Sequence, residues 1–177
     1  NSKIYFPYTQ KDLRIKETTS RLSELLFGNY EDSETIGVLE NPEKIPLFTM
    51  ARLDRIKNIT FLAELFGESN ELQKIANLII VAGKIDENKT QDNEEKEQIR
   101  KMHNILKTHN IYDKVRWIGK LFPKDEAGEV YRLIADRKGI FIQPALFEGF
   151  GLTVLEAMVS GLPCFATKYG GPLEIIQ

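Results

Sequence analysis

The sequence predicts an α/β fold, an open and mostly parallel sheet with helices on both faces. Two observations predict it. Short apolar runs and helix-period segments alternate five times along the chain. The residues with the most chemistry to offer stand just after those runs, where ligands of open α/β sheets sit. The 177 residues suffice for one well-buried core. A net charge of −2 gives no overall attraction to nucleic acid or to an anionic membrane, so neither is expected as a partner. Apolar stretches fall well short of the ~20 residues of a spanning helix. Cys164 has no second cysteine to pair with and lies in an apolar run, so it reads as an inert core thiol in a cytoplasmic protein. The chain opens on Asn1 rather than Met and stops at Gln177 just inside a helix start. A piece of a longer protein is therefore expected.

The elements follow in order. Ile4-Tyr5-Phe6-Pro7-Tyr8 is an apolar-aromatic opening closed by proline, and Thr9 is expected to cap a helix whose buried face is Leu22, Leu25 and Leu26 and which stops at Gly28-Asn29. Residues 31–44 read as loop apart from Ile36-Gly37-Val38-Leu39. Residues 46–53 are apolar and end in charge, as a buried parallel strand does. A loop over 54–58 leads to a helix capped by Asn58 or Thr60, with Phe61, Leu62, Leu65 and Phe66 on one face. Leu78-Ile79-Ile80-Val81-Ala82 is the clearest strand, ended by Gly83. The charged run 92–101 begins a helix that buries Ile99, Met102, Ile105 and Leu106 and leaves its charges on a solvated face. A strand at 115–119 places Trp117 in the core, and a helix around Val130, Tyr131, Leu133 and Ile134 follows. Further strands at 139–144 and 162–167 enclose a helix from Leu152, and Gly170-Gly171-Pro172 opens a last helix. The pattern is Rossmann-like.

The turn between residue 144 and the helix at Leu152 carries the strongest functional signal. It holds Glu148, Gly149, Phe150 and Gly151. A glycine-bearing loop feeding a helix N-terminus lets backbone N–H groups approach an anion, with the helix dipole favouring negative charge. Leu152 and Thr153 are the first-turn donors for a phosphate. A carboxylate accepts two or more strong bonds from sugar hydroxyls, so Glu148 before the turn and Glu156 inside the helix could hold two sugars flanking a phosphate. That is the outline of a nucleotide-sugar. Glycine and glutamate also occur at helix starts that bind nothing, so this motif alone is weak.

Arg52 and Lys57 strengthen it. Both lie at or just past a strand end, where Arg can fork to two phosphate oxygens and Lys can act as a point charge. Together they could stabilise a departing nucleoside diphosphate. Competing chemistries find little support. His103 and His109 stand six apart, off one helical face and without a cysteine pair, so no metal site is expected. Neither a Gly-x-Ser-x-Gly elbow nor a Walker A pattern is present.

Several stretches resemble the sucrose synthase family: Ile4-Tyr5-Phe6-Pro7-Tyr8, the run from Phe48 to Asn58, Asp92-Asn93-Glu94-Glu95-Lys96, Gln143-Pro144-Ala145-Leu146-Phe147-Glu148, the run from Gly151 to Met158, and the run from Gly170 to Ile176. The resemblance covers essentially the whole chain. Sucrose-phosphate synthases share the Glu-x7-Glu spacing, but residues 50–55 and 92–96 favour sucrose synthase. The resemblance implies a retaining GT-B glycosyltransferase, with two Rossmann-like domains about a cleft. Residues 1–177 would be a single C-terminal, nucleotide-sugar-binding domain, shortened at both ends and without the N-terminal acceptor domain. The implied reaction is sucrose plus a nucleoside diphosphate giving a nucleotide-glucose plus fructose, reversibly and with retention. No metal or other cofactor is implied. Arg52 and Lys57 would take the diphosphate, Glu148 the glucosyl hydroxyls, Glu156 the ribose, and the N–H groups of Leu152 and Thr153 the phosphates, with Gly149, Phe150 and Gly151 completing the loop. Arg52, Lys57 and Glu148 are the implied catalytic set. A homo-oligomer is implied for the whole enzyme.

One departure bears on the base. Plant sucrose synthases carry Gln and Asn where this chain has Leu121 and Ala127. Neither side chain can hydrogen-bond the imide edge of uracil, so ADP is expected to serve at least as well as UDP. A nucleotide-binding module of this fold without activity is the alternative from another class.

Overall fold

The structure, a computed structural model, describes residues 3–176. The chain opens with a 3-10 turn at Lys11–Leu13 and runs α1 (Lys16–Phe27), β1 (Thr35–Ile36), β2 (Ile45–Ala51), α2 (Ile59–Glu68), α3 (Asn70–Ile75) and β3 (Ala76–Ala82). After a 3-10 turn at Glu87–Lys89 come α4 (Asn93–His109), β4 (Val115–Ile118), α5 (Lys124–Asp136), β5 (Ile140–Gln143), α6 (Leu152–Ser160), β6 (Cys164–Ala166) and α7 (Pro172–Ile175). Among the described residues the strands form one six-stranded sheet in the order β1-β4-β3-β2-β5-β6. Only the short edge strand β1 runs antiparallel. The expected α/β class, with a mostly parallel sheet, is what the chain adopts.

Alternation along the strands divides the core in two, because successive side chains leave opposite faces. Ile79 joins Leu22, Leu26, Phe48, Val130, Phe141 and Val154 on one face. Ile80 joins Ile59, Phe66, Met102, Ile105 and Trp117 on the other. The first face is covered by α1, α5 and α6, the second by α2 and α4. Every residue of β3 is buried, in keeping with the apolar run Leu78 to Ala82, and the buried Asn77 amide donates to the Asn41 carbonyl at 2.8 Å. Trp117 is fully buried, and its indole N–H donates to the Ala82 carbonyl at 2.9 Å.

Four local expectations need correction. The first helix starts at Lys16 with Ile15 at its N-cap, not near Thr9. Arg14 is held extended before it, where its guanidinium reaches Glu129 and Asp136 on α5. On α2 the buried apolar set is Ile59, Leu62, Ala63 and Phe66, spaced i, i+3, i+4, i+7. Phe61 and Leu65 fall beside that stripe and are 48% and 44% exposed. The first strand is Thr35–Ile36, slightly earlier than Ile36-Gly37-Val38-Leu39. Helix α3 was not expected. Ser69 caps it, accepting the Leu72 N–H, and the chain passes from it directly into β3.

The strand order sets the functional end. From β2 the chain moves to β3 and β4 on one side, then crosses back to β5 and β6 on the other. The loops leaving β2 and β5 therefore feed α2 and α6 on opposite faces of the sheet. The crevice between two such loops is a topological switch point, where ligands of open α/β sheets bind.

Candidate functional site

The loop after β2 is shaped by Asp54. Its Oδ1 accepts the Lys57 backbone N–H at 2.8 Å, and its carbonyl accepts the Asn58 N–H at 3.3 Å. This turn, with Asn58 at φ 57°, sends Lys57 back over the end of the sheet. Two bonds then join the loop to the chain after β5. Asn58 Nδ2 donates to the Pro144 carbonyl at 3.1 Å, and the Leu146 N–H to the Ile56 carbonyl at 2.8 Å.

Lys57 and Glu148, 91 residues apart, meet across that seam, with Nζ 2.6 Å from Oε2. Gln143, the last residue of β5, donates its amide to the same oxygen at 2.7 Å. The Gly151 N–H faces Oε1 at 3.3 Å. The Glu148 backbone is fixed as well, its N–H donating to the Tyr169 carbonyl at 3.0 Å and its carbonyl accepting the Gly171 N–H at 2.9 Å. Gly170 lies so close that a Cβ there would stand 1.9 Å from the Glu148 carbonyl oxygen. Partial burial pushes the Glu148 carboxyl up. The Lys57 ammonium, helped by the Gly151 N–H and the Gln143 amide, outweighs it and holds the group below its ordinary value of 4.5.

Gly151 takes φ +89° as the N-cap of α6, a conformation that suits glycine. The N–H groups of Val154 and Leu155 turn back to its carbonyl at 3.0 and 3.1 Å. Those of Leu152 and Thr153 are the first-turn donors directed out of the helix. Gly149 stands in open space, and Phe150 and the Leu152 side chain are exposed beside it. A recess of about 470 Å³ lies against this loop, lined by Gly149, Phe150, Gly170, Gly171, Glu174 and Ile175.

The other expected side chains make no direct bond to the Lys57–Glu148 pair among the described residues. Arg52 projects outward, its side chain 79% exposed and its guanidinium 3.2 Å from Asp54. Glu156 sits within α6, half-buried, with Oε2 3.4 Å from the Tyr131 hydroxyl. Burial drives the Tyr131 hydroxyl well above its ordinary value, and the nearby Glu156 charge adds to this, so the phenol remains a donor. Leu121 is 76% exposed in the loop before α5, whereas Ala127 is buried in the first turn of that helix. Cys164 is half-buried, and burial pushes its thiol up to about 11, in keeping with an inert role. His103 bonds the Ile85 carbonyl at 2.7 Å and His109 bonds Glu64 at 2.9 Å.

Sequence reasoning gave no role in the site to Gln143 or Asp54, and read Gly170 as part of the opening of the last helix rather than as a neighbour of Glu148. The available signal for Gln143 was a polar residue ending the apolar strand Ile140-Phe141-Ile142.

Comparison with known proteins gives the family and the fold of the chain. The chain is 68% identical over 177 residues to the sucrose synthase of Melioribacter roseus, covering all of this chain and 22% of that protein. It is 49% identical over 174 residues to sucrose synthase 2 of Pisum sativum, again 22% of that protein. The chain thus spans less than a quarter of the length of the curated relatives it matches. The C-terminal domain of a glycosyl transferase group 1 family protein from Francisella tularensis shares the fold, with TM-score 0.61 and 18% identity over 88% of this chain and 74% of that one. A trehalose-6-phosphate protein from E. coli, solved with UDP-2-fluoro glucose, matches 97% of this chain and 37% of its own, with TM-score 0.62 and 12% identity. Residues 32–177 match the family model described as glycosyl transferases group 1, and the chain belongs to that family.

Proposed function

We propose that this chain is the donor half of a retaining GT-B glycosyltransferase of the sucrose synthase type, acting on sucrose plus a nucleoside diphosphate to give a nucleotide-glucose and fructose, reversibly. The observation that carries the reading is the meeting of Lys57 and Glu148 at the switch point, beside the N-terminus of α6. The names of the relatives and their identity over the whole chain support it. In this reading Lys57, which bonds Glu148 in the structure, turns toward the diphosphate when that group binds. The exposed Arg52 forks to the same group, and the N–H groups of Leu152 and Thr153 complete the phosphate cradle. Glu148 Oε1 takes a hydroxyl of the glucosyl ring and Glu156 the ribose. As the glycosidic bond to phosphate breaks, negative charge grows on the leaving diphosphate, and fixed cations stabilise it there more than in the ground state. No metal is assigned a part in these contacts.

The acceptor is bound mostly by the second domain of the whole enzyme, which is also proposed to assemble into homo-oligomers. Exposed Leu121 and buried Ala127 present no side-chain partner for uracil, so ADP is accepted at least as well as UDP.

In the full-length protein, Glu148→Gln should reduce glucosyl transfer about a hundredfold or more, on the scale of a lost oriented charge in an active site. It should leave ADP and UDP binding within a few-fold of the parent. Calorimetric titration beside a transfer assay reads both. Full transfer by the variant would sink the assignment of Glu148. Failure of the parent to bind either nucleotide would sink the donor-site reading altogether.

A further inference from the structure

Gln143 is 4% exposed at the C-terminal end of β5, and its amide has a single side-chain partner, Glu148. Its Oε1 is buried without a hydrogen-bond partner among the described residues. Reversing the amide would set that oxygen against the Glu148 carboxylate, acceptor to acceptor, so the bond through Nε2 fixes the orientation. An orphaned buried acceptor is costly, and an apolar side chain of the same length would avoid it. The amide is therefore explained by what Nε2 does for Glu148.

That service matters because the other holder of Oε2 is not constant. Lys57 Nζ and Gln143 Nε2 share this oxygen at 2.6 and 2.7 Å. On the function proposed above, a bound diphosphate competes with Glu148 for the Lys57 ammonium, and Lys57 rides on a loop. A neutral amide on a buried strand has no comparable attraction to phosphate. The remaining groups facing Glu148 are the Gly151 N–H from the start of α6 and the backbone of Tyr169 and Gly171 before α7. Lys57 is thus the charged group bonded to it, because Arg52 is turned to Asp54.

We propose that Gln143 is a positioning residue that keeps Glu148 Oε2 in place while Lys57 is drawn to the donor diphosphate, so that Oε1 stays directed at the sugar. This rests on the reading that Glu148 bonds the glucosyl hydroxyls. The test uses the full-length protein with Gln143→Met and Gln143→Glu, both close to the original in length. Affinity for ADP or UDP alone should stay within about twofold, which also shows the site is folded. Transfer from nucleotide-glucose should lose roughly ten- to a hundredfold in kcat, the scale of a hydrogen bond to a charged group. The acid limb of the kcat/KM profile should move to higher pH, and further in Gln143→Glu, where a like charge adjoins Glu148. Either variant binding nucleotide with unchanged kcat and an unmoved acid limb would overturn the proposal. So would parallel loss of nucleotide affinity in both, because the amide would then support the whole site rather than Glu148. Glu148→Gln assayed alongside separates the two readings: if it retains full transfer, the sugar assignment itself fails.

Discussion

At the scale of single residues, the pair of Lys57 and Glu148 concentrates the electrostatics of the site. Both side chains are mostly buried, so their attraction is screened less than that of exposed Arg52. Lys57→Met leaves Glu148 partly buried with only neutral donors, and its carboxyl should rise toward or above the ordinary value of 4.5. The sign follows from the depressed folded value. Pairing stabilises the fold above 4.5, and that contribution is lost as pH falls through the lower folded value. At neutral pH the variant should be less stable by about 1–3 kcal/mol. The gap from the parent should narrow as the pH is lowered below about 4, as the linkage requires. Urea unfolding at both pH values checks it, and a gap independent of pH would mean that Lys57 acts through packing. The two residues were legible singly, each by its place after an apolar run. Their bond was not, because nothing local in sequence announces a contact across 91 residues.

At the scale of elements, two glycines of one loop have different reasons to be there. Gly151 is left-handed, and a Cβ on it would lie 3.1 Å from Ile175 Cδ1 and 3.3 Å from Pro172 Cγ. Gly149 meets nothing within 4 Å. Gly151→Ala should therefore cost about 1–2 kcal/mol, the left-handed penalty for a residue with a Cβ, and should disturb the start of α6. Gly149→Ala should leave the melting temperature unchanged and affect only ligand affinity. Thermal melts of the two variants decide between these. Equal losses would mean that the loop is strained throughout. The sequence showed two glycines before a helix without distinguishing them, since φ depends on where the chain must go next. The same limit explains α2. Its helical period was plain, but Phe61 and Leu65 were placed inward because apolar character does not choose between adjacent stripes. Ile59, with its burial under the sheet, does. Helix α4 was legible because its four apolar residues share one stripe behind a charged run, and the structure adds that Asp92 caps it, accepting the Glu94 and Glu95 N–H groups.

At the scale of the whole molecule, the sheet order makes the site. Alternating strands and helices predicted a parallel sheet, but not that β5 would return to the far side of β2. That crossing brings Pro144, Leu146 and Glu148 against Ile56, Lys57 and Asn58. Every direct contact seen between Lys57 and Glu148 is therefore made within this chain, in a single sheet with its own two-sided core. If the diphosphate site is likewise self-sufficient, the 177-residue chain alone should bind nucleotide. Its net charge of −2 lends no general attraction for an anion, so binding must come from local donors. Calorimetric titration of the chain should give saturable binding of ADP at least as tight as that of UDP. Arg52→Ala with Lys57→Ala should abolish both. Transfer should be undetectable, because chemistry needs the acceptor held in near-attack geometry by the opposite side of the cleft. A strong preference for UDP would mean that the base is read by something other than Leu121 and Ala127, with backbone groups of the loop before α5 as the first place to look. Binding that appears only in the full-length protein would move essential phosphate contacts to the other domain, and Lys57 would then act mainly as the partner that keeps Glu148 charged.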